Sequence, residues 1–241
     1  MPHRVLELAD AADFLHVSLP DLERLVQRRL VPYHLHAGRY TFRPQELHDW
    51  ASRRILGAKG EELGEIHRVA TQMRPPPDRH EAFLSQFLMP EAIATNLHAG
   101  TRSSVLRELV KLASRTNLVC DEAVFLQFLN EREELCPTGM PGGLAIPHTR
   151  VHADYLFVDP FMAVAYVPGG VPFGSPDGQL SDLFFLPCSQ DDRTHLYMLA
   201  RLARLLQATH LADALRDCSA PDDVISTFHV IESEFVAQHV R

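Results

Sequence analysis

The sequence predicts an α/β protein: a three-layer α/β/α domain with a mixed sheet, preceded by a small helix-turn-helix unit with a hairpin wing. Three observations predict it. From Phe83 onward, amphipathic helical patterns alternate irregularly with short buried apolar runs, an order that puts helices on both faces of one sheet. Ahead of them, two short helical patterns joined by a tight turn are followed by an alternating hairpin,. Between the two regions stands Pro75-Pro76-Pro77, a stiff extended spacer. The chain therefore divides into residues 1–56, a helical and proline-rich linker over 57–82, and the larger domain over 83–241.

Taken in order, residues 7–16 place Leu8, Ala12 and Leu15 on one helical face,. Ser18 is a good N-cap, Pro20 suits a first turn, and Asp21 three residues on resembles a capping box,. The helix that follows, about Leu19 to Arg29, buries Leu22, Leu25 and Val26 and leaves Arg24 and Arg28 together on the other side. Residues 33–36 alternate, Ala37-Gly38 turns, and residues 39–42 alternate back, with Arg39 at the tip of the wing,. Arg43-Pro44 starts a third helix containing Leu47, Trp50 and Ile55. Glu61 to Met73 is predicted as the linker helix, with Leu63, Ile66 and Val69 on one side,. In the larger domain, helices are predicted over 104–115, 121–133, 192–206, 211–217 and 222–239, and buried strands over 144–147, 161–167 and 183–187,.

The chemistry concentrates in Gly142-Gly143-Leu144-Ala145-Ile146-Pro147-His148-Thr149-Arg150. An apolar run delivers a histidine from a strand end behind a rigid proline. The two glycines remove side chains where another backbone or a ligand must approach closely. Arg150 follows directly, and Arg132 lies a short loop upstream. A histidine beside guanidiniums and a glycine-rich turn suits a transient phosphohistidine: neutral imidazole attacks, and fixed cations and N–H groups hold the phosphoryl oxygens. His195 stands near the start of a helix, where unpaired N–H groups attract phosphate,. His148, His152 and Asp154 do not suggest a metal site, because i,i+4 spacing converges on a helix and this segment leaves a strand,.

Arg132-Glu133-Glu134-Leu135-Cys136-Pro137-Thr138-Gly139, followed by Gly143-Leu144-Ala145-Ile146-Pro147-His148, resembles the active-site segment of enzyme IIA of the bacterial phosphotransferase system, mannitol/fructose and nitrogen-regulatory class. The resemblance runs from about Phe83 to Phe235 and includes Arg193-Thr194-His195-Leu196, similar to that family's second active-site histidine. Thr149 stands where the family usually has Gly or Ala. The resemblance implies phosphorylation of His148 by a histidine phosphocarrier protein, with His195 and Arg132 in support and neither cofactor nor metal. Arg28-Arg29-Leu30-Val31-Pro32, Gly38-Arg39-Tyr40-Thr41-Phe42 and Glu46-Leu47-His48-Asp49-Trp50 resemble the winged helix-turn-helix of the excisionase and mercury-resistance-regulator type, with Leu30-Val31-Pro32 where that family usually has Gly. That implies duplex DNA as a partner, read by Arg24, Arg28, Arg39 and Arg43.

Composition is consistent with this. The net charge of −8 is uneven: residues 1–75 sum to +1, the remainder to −9, and Arg24 to Arg54 alone to +5. Such asymmetry suggests different partners for the two halves. No apolar run approaches the roughly 18 residues of a membrane span, and the N-terminus has no signal-peptide core, so no membrane partner and a cytoplasmic location are expected. The four cysteines show no CxxC spacing,. GxSxG, GxGxxG, Walker A and HExxH motifs are absent, which removes support for hydrolase, dehydrogenase and ATP-dependent readings. Three readings stay open: a phosphorylated regulator of DNA or protein targets, a sugar-uptake phosphocarrier whose N-terminal unit docks proteins, and a non-catalytic sensory domain on a DNA-binding protein.

Overall fold

The computed structural model describes residues 5–15, 17–36, 38–57, 83–152 and 155–239. The predicted linker helix, the proline triplet and Asp154 lie outside the described residues.

The N-terminal unit comprises α1 (Leu8–Leu15), α2 (Leu19–Gln27), β1 (His34–His36), β2 (Arg39–Thr41) and α3 (Pro44–Gly57). Ser18 caps α2 as expected, accepting from Asp21 N at 3.3 Å and donating to Asp21 Oδ2 at 2.6 Å. At the other end of α2, Arg29 adopts φ 55°, and Leu30 N reaches back to Leu25 O at 2.9 Å. This closes the helix with a left-handed residue that is usually glycine. The wing pairs His34 with Thr41. Phe42 and Leu6 exchange backbone hydrogen bonds, and Trp50 Nε1 donates to Leu30 O at 2.6 Å. Leu22, Val26, Phe42 and Leu47 fill the centre.

The larger domain contains, after a 3-10 turn at Leu84–Phe87, β3 (Leu88–Ala94), α4 (Arg102–Ser114), α5 (Glu122–Leu135), β4 (Gly139–Met140), β5 (Leu144–Ala145), β6 (Phe161–Val171), β7 (Ser181–Cys188), α6 (Asp192–Ala208), α7 (Leu211–Arg216) and α8 (Pro221–His239). The sheet order is β3-β6-β7-β5-β4. β3 runs parallel to β6 and β5 parallel to β7, while the β6–β7 and β4–β5 pairs are antiparallel, so the sheet is mixed.

Strand alternation divides the interior in two. Met162 and Val164 of β6, with Leu183 and Phe185 of β7, face α6, α7 and α8. Phe161, Ala163, Ala165, Phe184 and Leu186 face α4 and α5. The expected three layers follow. Both predicted long strands extend further than their apolar runs, and the predicted strand over 144–147 stops at Ala145. β3 is absent from the sequence prediction. It is an edge strand, its Pro90 and Glu91 interrupt the pattern, and its pairing slips between Leu88 and Ile93, as an edge tolerates.

Two features tie the outer layer together. Glu232 of α8, wholly buried, accepts from Leu84 N at 2.8 Å, Ser85 N at 3.2 Å and Arg201 Nε at 2.6 Å. In addition, α1 and α3 pack on α6, so the N-terminal unit shares one continuous apolar cluster with α6, α7 and α8.

Candidate functional site

β5 is pinned between β7 and β4, and Ile146 N donates to Thr138 O at 3.1 Å just beyond it. The chain then leaves the sheet through Pro147 and presents His148 inside the molecule, 1 % exposed. Gly142 and Gly143 form the β4–β5 turn with φ 83° and 79°. A Cβ on Gly143 would lie 2.9 Å from both Arg216 Nη2 and Asp182 Oδ1. The close approach that Gly143 permits therefore serves the Arg216–Asp182 ion pair (2.8 Å), whereas a Cβ on Gly142 would meet open space.

The hydrogen bonds of His148 fix its tautomer. The Ile146 carbonyl, 2.8 Å from Nδ1, can only accept, so Nδ1 carries the proton. Arg132 Nε, 3.2 Å from Nε2, can only donate, so Nε2 keeps its lone pair. Burial, then the Arg132 charge, lower the His148 pKa to about 3, against the opposing effect of the Ile146 bond. The result is a neutral imidazole with one nucleophilic nitrogen directed at a guanidinium. Arg132 itself is 5 % exposed and also donates to Cys136 O at 2.8 Å. Its neighbour Glu133 accepts from Thr138 N at 3.0 Å and Thr138 Oγ1 at 2.6 Å. That bracket holds the α5–β4 loop in place, and burial pushes the Glu133 pKa up.

His195 joins His148, with ring centroids 5.3 Å apart. It lies one turn inside α6, not at its tip. The helix start is capped by Asp191, which accepts from Thr194 N and Thr194 Oγ1 at 2.8 Å each. The N–H groups expected to attract phosphate are thus partly met by the chain's own carboxylate. Two further histidines, not expected at the site, complete a cluster. His152 stacks on His195 at 4.1 Å and sets Nδ1 2.8 Å from Asp192 Oδ1. His48 of α3 lies 5.0 Å from His195 and 4.6 Å from His152. Burial is the main cause that drives the pKa values of His48 and His195 well below the ordinary value. The nitrogens of His48, His152 and His195 that could hold a metal all lie within 4.8 Å of one another.

Arg150 does not join Arg132. It turns to α3 and grips Asp49 in a two-point ion pair, Nε to Oδ1 at 2.9 Å and Nη2 to Oδ2 at 2.5 Å. Nothing in the sequence around His48 and Asp49 marks them as site residues, since Leu47-His48-Asp49-Trp50 reads as an ordinary amphipathic segment. Arg24, Arg28, Arg39 and Arg43 are all exposed. Arg24 pairs with Asp21, Arg43 with Glu46 at 3.1 Å, and Arg39 approaches Glu7 at 3.9 Å.

Residues 86–230 match the family model described as the phosphoenolpyruvate-dependent sugar phosphotransferase system, EIIA 2. The chain belongs to that family, and residues 5–55 match a helix-turn-helix domain. A "Nitrogen regulatory protein" from Pseudomonas aeruginosa is 32% identical over 140 residues, spanning 57% of this chain and 88% of the relative. One from Bradyrhizobium diazoefficiens is 33% identical over 135 residues, 55% of this chain and 86% of the relative. Among solved structures, nitrogen regulatory protein IIA-Ntr from Neisseria meningitidis shares the fold, with a TM-score of 0.55 and 23% identity over 61% of this chain and 99% of that one. IIA mannitol from Escherichia coli does so at 0.51 and 20% identity, over 58% and 98%. Among the described residues, no helix is long and apolar enough to cross a membrane.

Proposed function

We propose that this chain is a regulatory phosphoryl acceptor. A histidine phosphocarrier protein transfers a phosphoryl group to Nε2 of His148, and the N-terminal unit couples that event to duplex DNA or to protein targets. The observation that supports it most is the bonding of His148, with Nδ1–H held by Ile146 and the Nε2 lone pair facing Arg132. In the transfer the His148 Nε2 lone pair attacks phosphorus. The donor's P–N bond breaks, and the donor imidazole keeps the electron pair. Arg132 stabilises charge on the phosphoryl oxygens, and His195 adds a hydrogen bond from the other side. The chain would act as three parts, 1–56, 57–82 and 83–241, in the cytoplasm and without a membrane partner. Among the readings left open by the sequence, regulation is favoured because α3 rests directly on the histidine cluster, which makes the N-terminal unit part of the site rather than an appendage.

His148 is covered in this arrangement, so acceptance requires α3 to lift. The test is phosphoryl labelling of the full chain from phosphoenolpyruvate, the first enzyme of the system and its phosphocarrier. Acid-labile, base-stable label is expected in wild type and in His98→Ala, at an exposed histidine, and lost in His148→Ala. Undiminished labelling of His148→Ala overturns the assignment.

A further inference from the structure

Five buried imidazole nitrogens around the covered site have no hydrogen-bond partner: both of His48, both of His195, and Nε2 of His152. Buried polar atoms in native proteins are paired almost without exception, so a cluster of this kind needs a physical reason. Apolar packing does not supply one, since three imidazoles in mutual contact would be replaced at no loss by aliphatic side chains. The remaining nitrogen of the set, His152 Nδ1, is bonded to the Asp192 carboxylate at 2.8 Å. That bond leaves Nε2 as the lone-pair nitrogen facing the other two rings, the arrangement in which a carboxylate orients a metal-ligating histidine.

We propose that His48, His152 and His195 form a site for one divalent transition-metal ion of the zinc class, which clamps α3 onto the phosphoryl-acceptor domain. The three donor atoms lie within 4.8 Å of one another. Three imidazoles on one zinc ion at a Zn–N distance of about 2.1 Å have nitrogens about 3.4 Å apart, so small ring rotations close the set. Imidazoles sharing one tetrahedral ion have ring centroids about 5.2 Å apart. His48, at 4.6 Å from His152 and 5.0 Å from His195, therefore needs little movement, whereas the stacked His152 and His195 rings, 4.1 Å apart, must part by about 1 Å as the ion enters. Three neutral nitrogens, with one water carried in on the ion as the fourth ligand, form a donor set that suits zinc, copper or nickel. The Arg132 and Arg150 charges oppose the ion, and Asp192 on His152 and Asp49, paired with Arg150, offset them. His148 is not a ligand, because Arg132 occupies its Nε2. The site joins residues more than 100 positions apart and exists only while α3 is docked. Any ion that binds there stabilises the covered state by mass action.

This inference stands on the three histidines and Asp192 alone, and it is tested without phosphoryl transfer. Zinc is titrated into the full-length, metal-stripped chain in competition with a chromogenic chelator, with thiols kept reduced by a phosphine. One ion per chain is expected. His48→Ala should remove tight binding, and Asp192→Asn, which leaves all three ligands in place, should weaken it by about 10–100-fold. Circular dichroism verifies that both variants fold. Cobalt(II) in the same site should give the visible absorption of a tetrahedral nitrogen–oxygen set without a sulfur charge-transfer band. Unchanged affinity in both variants, a thiolate band from Cys120 or Cys136, or no binding by wild type would each overturn the proposal.

Discussion

The docking of α3 over His148 makes a quantitative prediction about Asp49. Its ion pair with Arg150 is two-pronged, and the two side chains are 21 % and 31 % exposed. A charge-assisted hydrogen bond contributes about 1.5–3 kcal/mol, but partial exposure screens the pair, and Asp49→Asn retains one neutral acceptor. A net loss of about 1.4 kcal/mol in docking follows, which raises the undocked fraction about tenfold. If only the undocked chain accepts phosphate, the apparent transfer rate scales with that fraction. At limiting phosphocarrier concentration, Asp49→Asn should therefore be labelled about ten times faster than wild type, up to the ceiling set by a fully open chain. The measurement is a rapid-quench time course on the full-length protein. A second readout needs no phosphocarrier: carbethoxylation of His148, followed by peptide mass spectrometry, should accelerate by the same factor. Wild-type rates in both assays, from a variant that folds, would refute the idea that α3 gates the histidine.

Acid should open the same contact in metal-free protein. His148 in its covered form titrates near 3, and His48 and His195 lie well below 6.5, so below pH 6.5 the open state binds protons that the closed state does not. The closed state therefore loses about 1.4 kcal/mol per pH unit for each imidazole exposed. Arg132 and Arg150 add to this effect, while Asp49 and Asp192 oppose it. Energy transfer between labels on the two units, with chelator present, should report separation between pH 7 and pH 5; a constant distance would contradict it. Glu232→Ala leaves the Arg201 guanidinium and two backbone N–H groups without their acceptor and should cost about 3–5 kcal/mol by urea unfolding. Arg29→Gly relieves a left-handed residue and should raise stability by about 0.5–1 kcal/mol in the same assay. Arg24→Ala combined with Arg28→Ala should weaken duplex binding and flatten its salt dependence in electrophoretic shifts; unchanged binding would remove α2 from the DNA surface.

The parts of this molecule that were legible in the sequence depend on local pattern. Ser18 caps α2 as its sequence context suggests, α4 and α5 carry apolar faces that repeat at helical spacing, and the buried runs of β6 and β7 are long enough to mark strands. β3 was not legible because an edge strand with one wet side tolerates Pro90 and Glu91. His148, Arg132 and His195 could be singled out because each sits in a distinctive run of residues, and the structure brings all three together. His48 and His152 could not. Their roles arise from the packing of α3 on α6, a contact between segments with no shared pattern, and an i,i+4 test on His148 and His152 examines the wrong partners. Arg150 was placed correctly along the chain but not in space, since its partner Asp49 belongs to another unit.

The two surfaces of the N-terminal unit lie on different elements. α3 meets the histidine cluster, whereas Arg24, Arg28, Arg39 and Arg43 on or beside α2 and the wing stay exposed while α3 is docked. On the proposed reading, phosphorylation cannot act by uncovering or covering the DNA-binding arginines directly. It acts on docking. A phosphoryl group at His148 Nε2 would bring about two negative charges and need room beside His48, whose ring centroid lies 6.4 Å from that of His148 while α3 is docked. Docking and phosphorylation then exclude one another, and linkage makes the exclusion reciprocal: the factor by which docking suppresses acceptance is the factor by which the phosphoryl group suppresses docking. Once released, the N-terminal unit, with its exposed arginines, moves away from a remainder with net charge −9 over residues 76–241, whose repulsion of DNA is screened beyond about 8–10 Å. The phosphorylated chain should therefore bind duplex DNA more tightly than the unphosphorylated one at low salt. Asp49→Asn without phosphate should reproduce part of that gain.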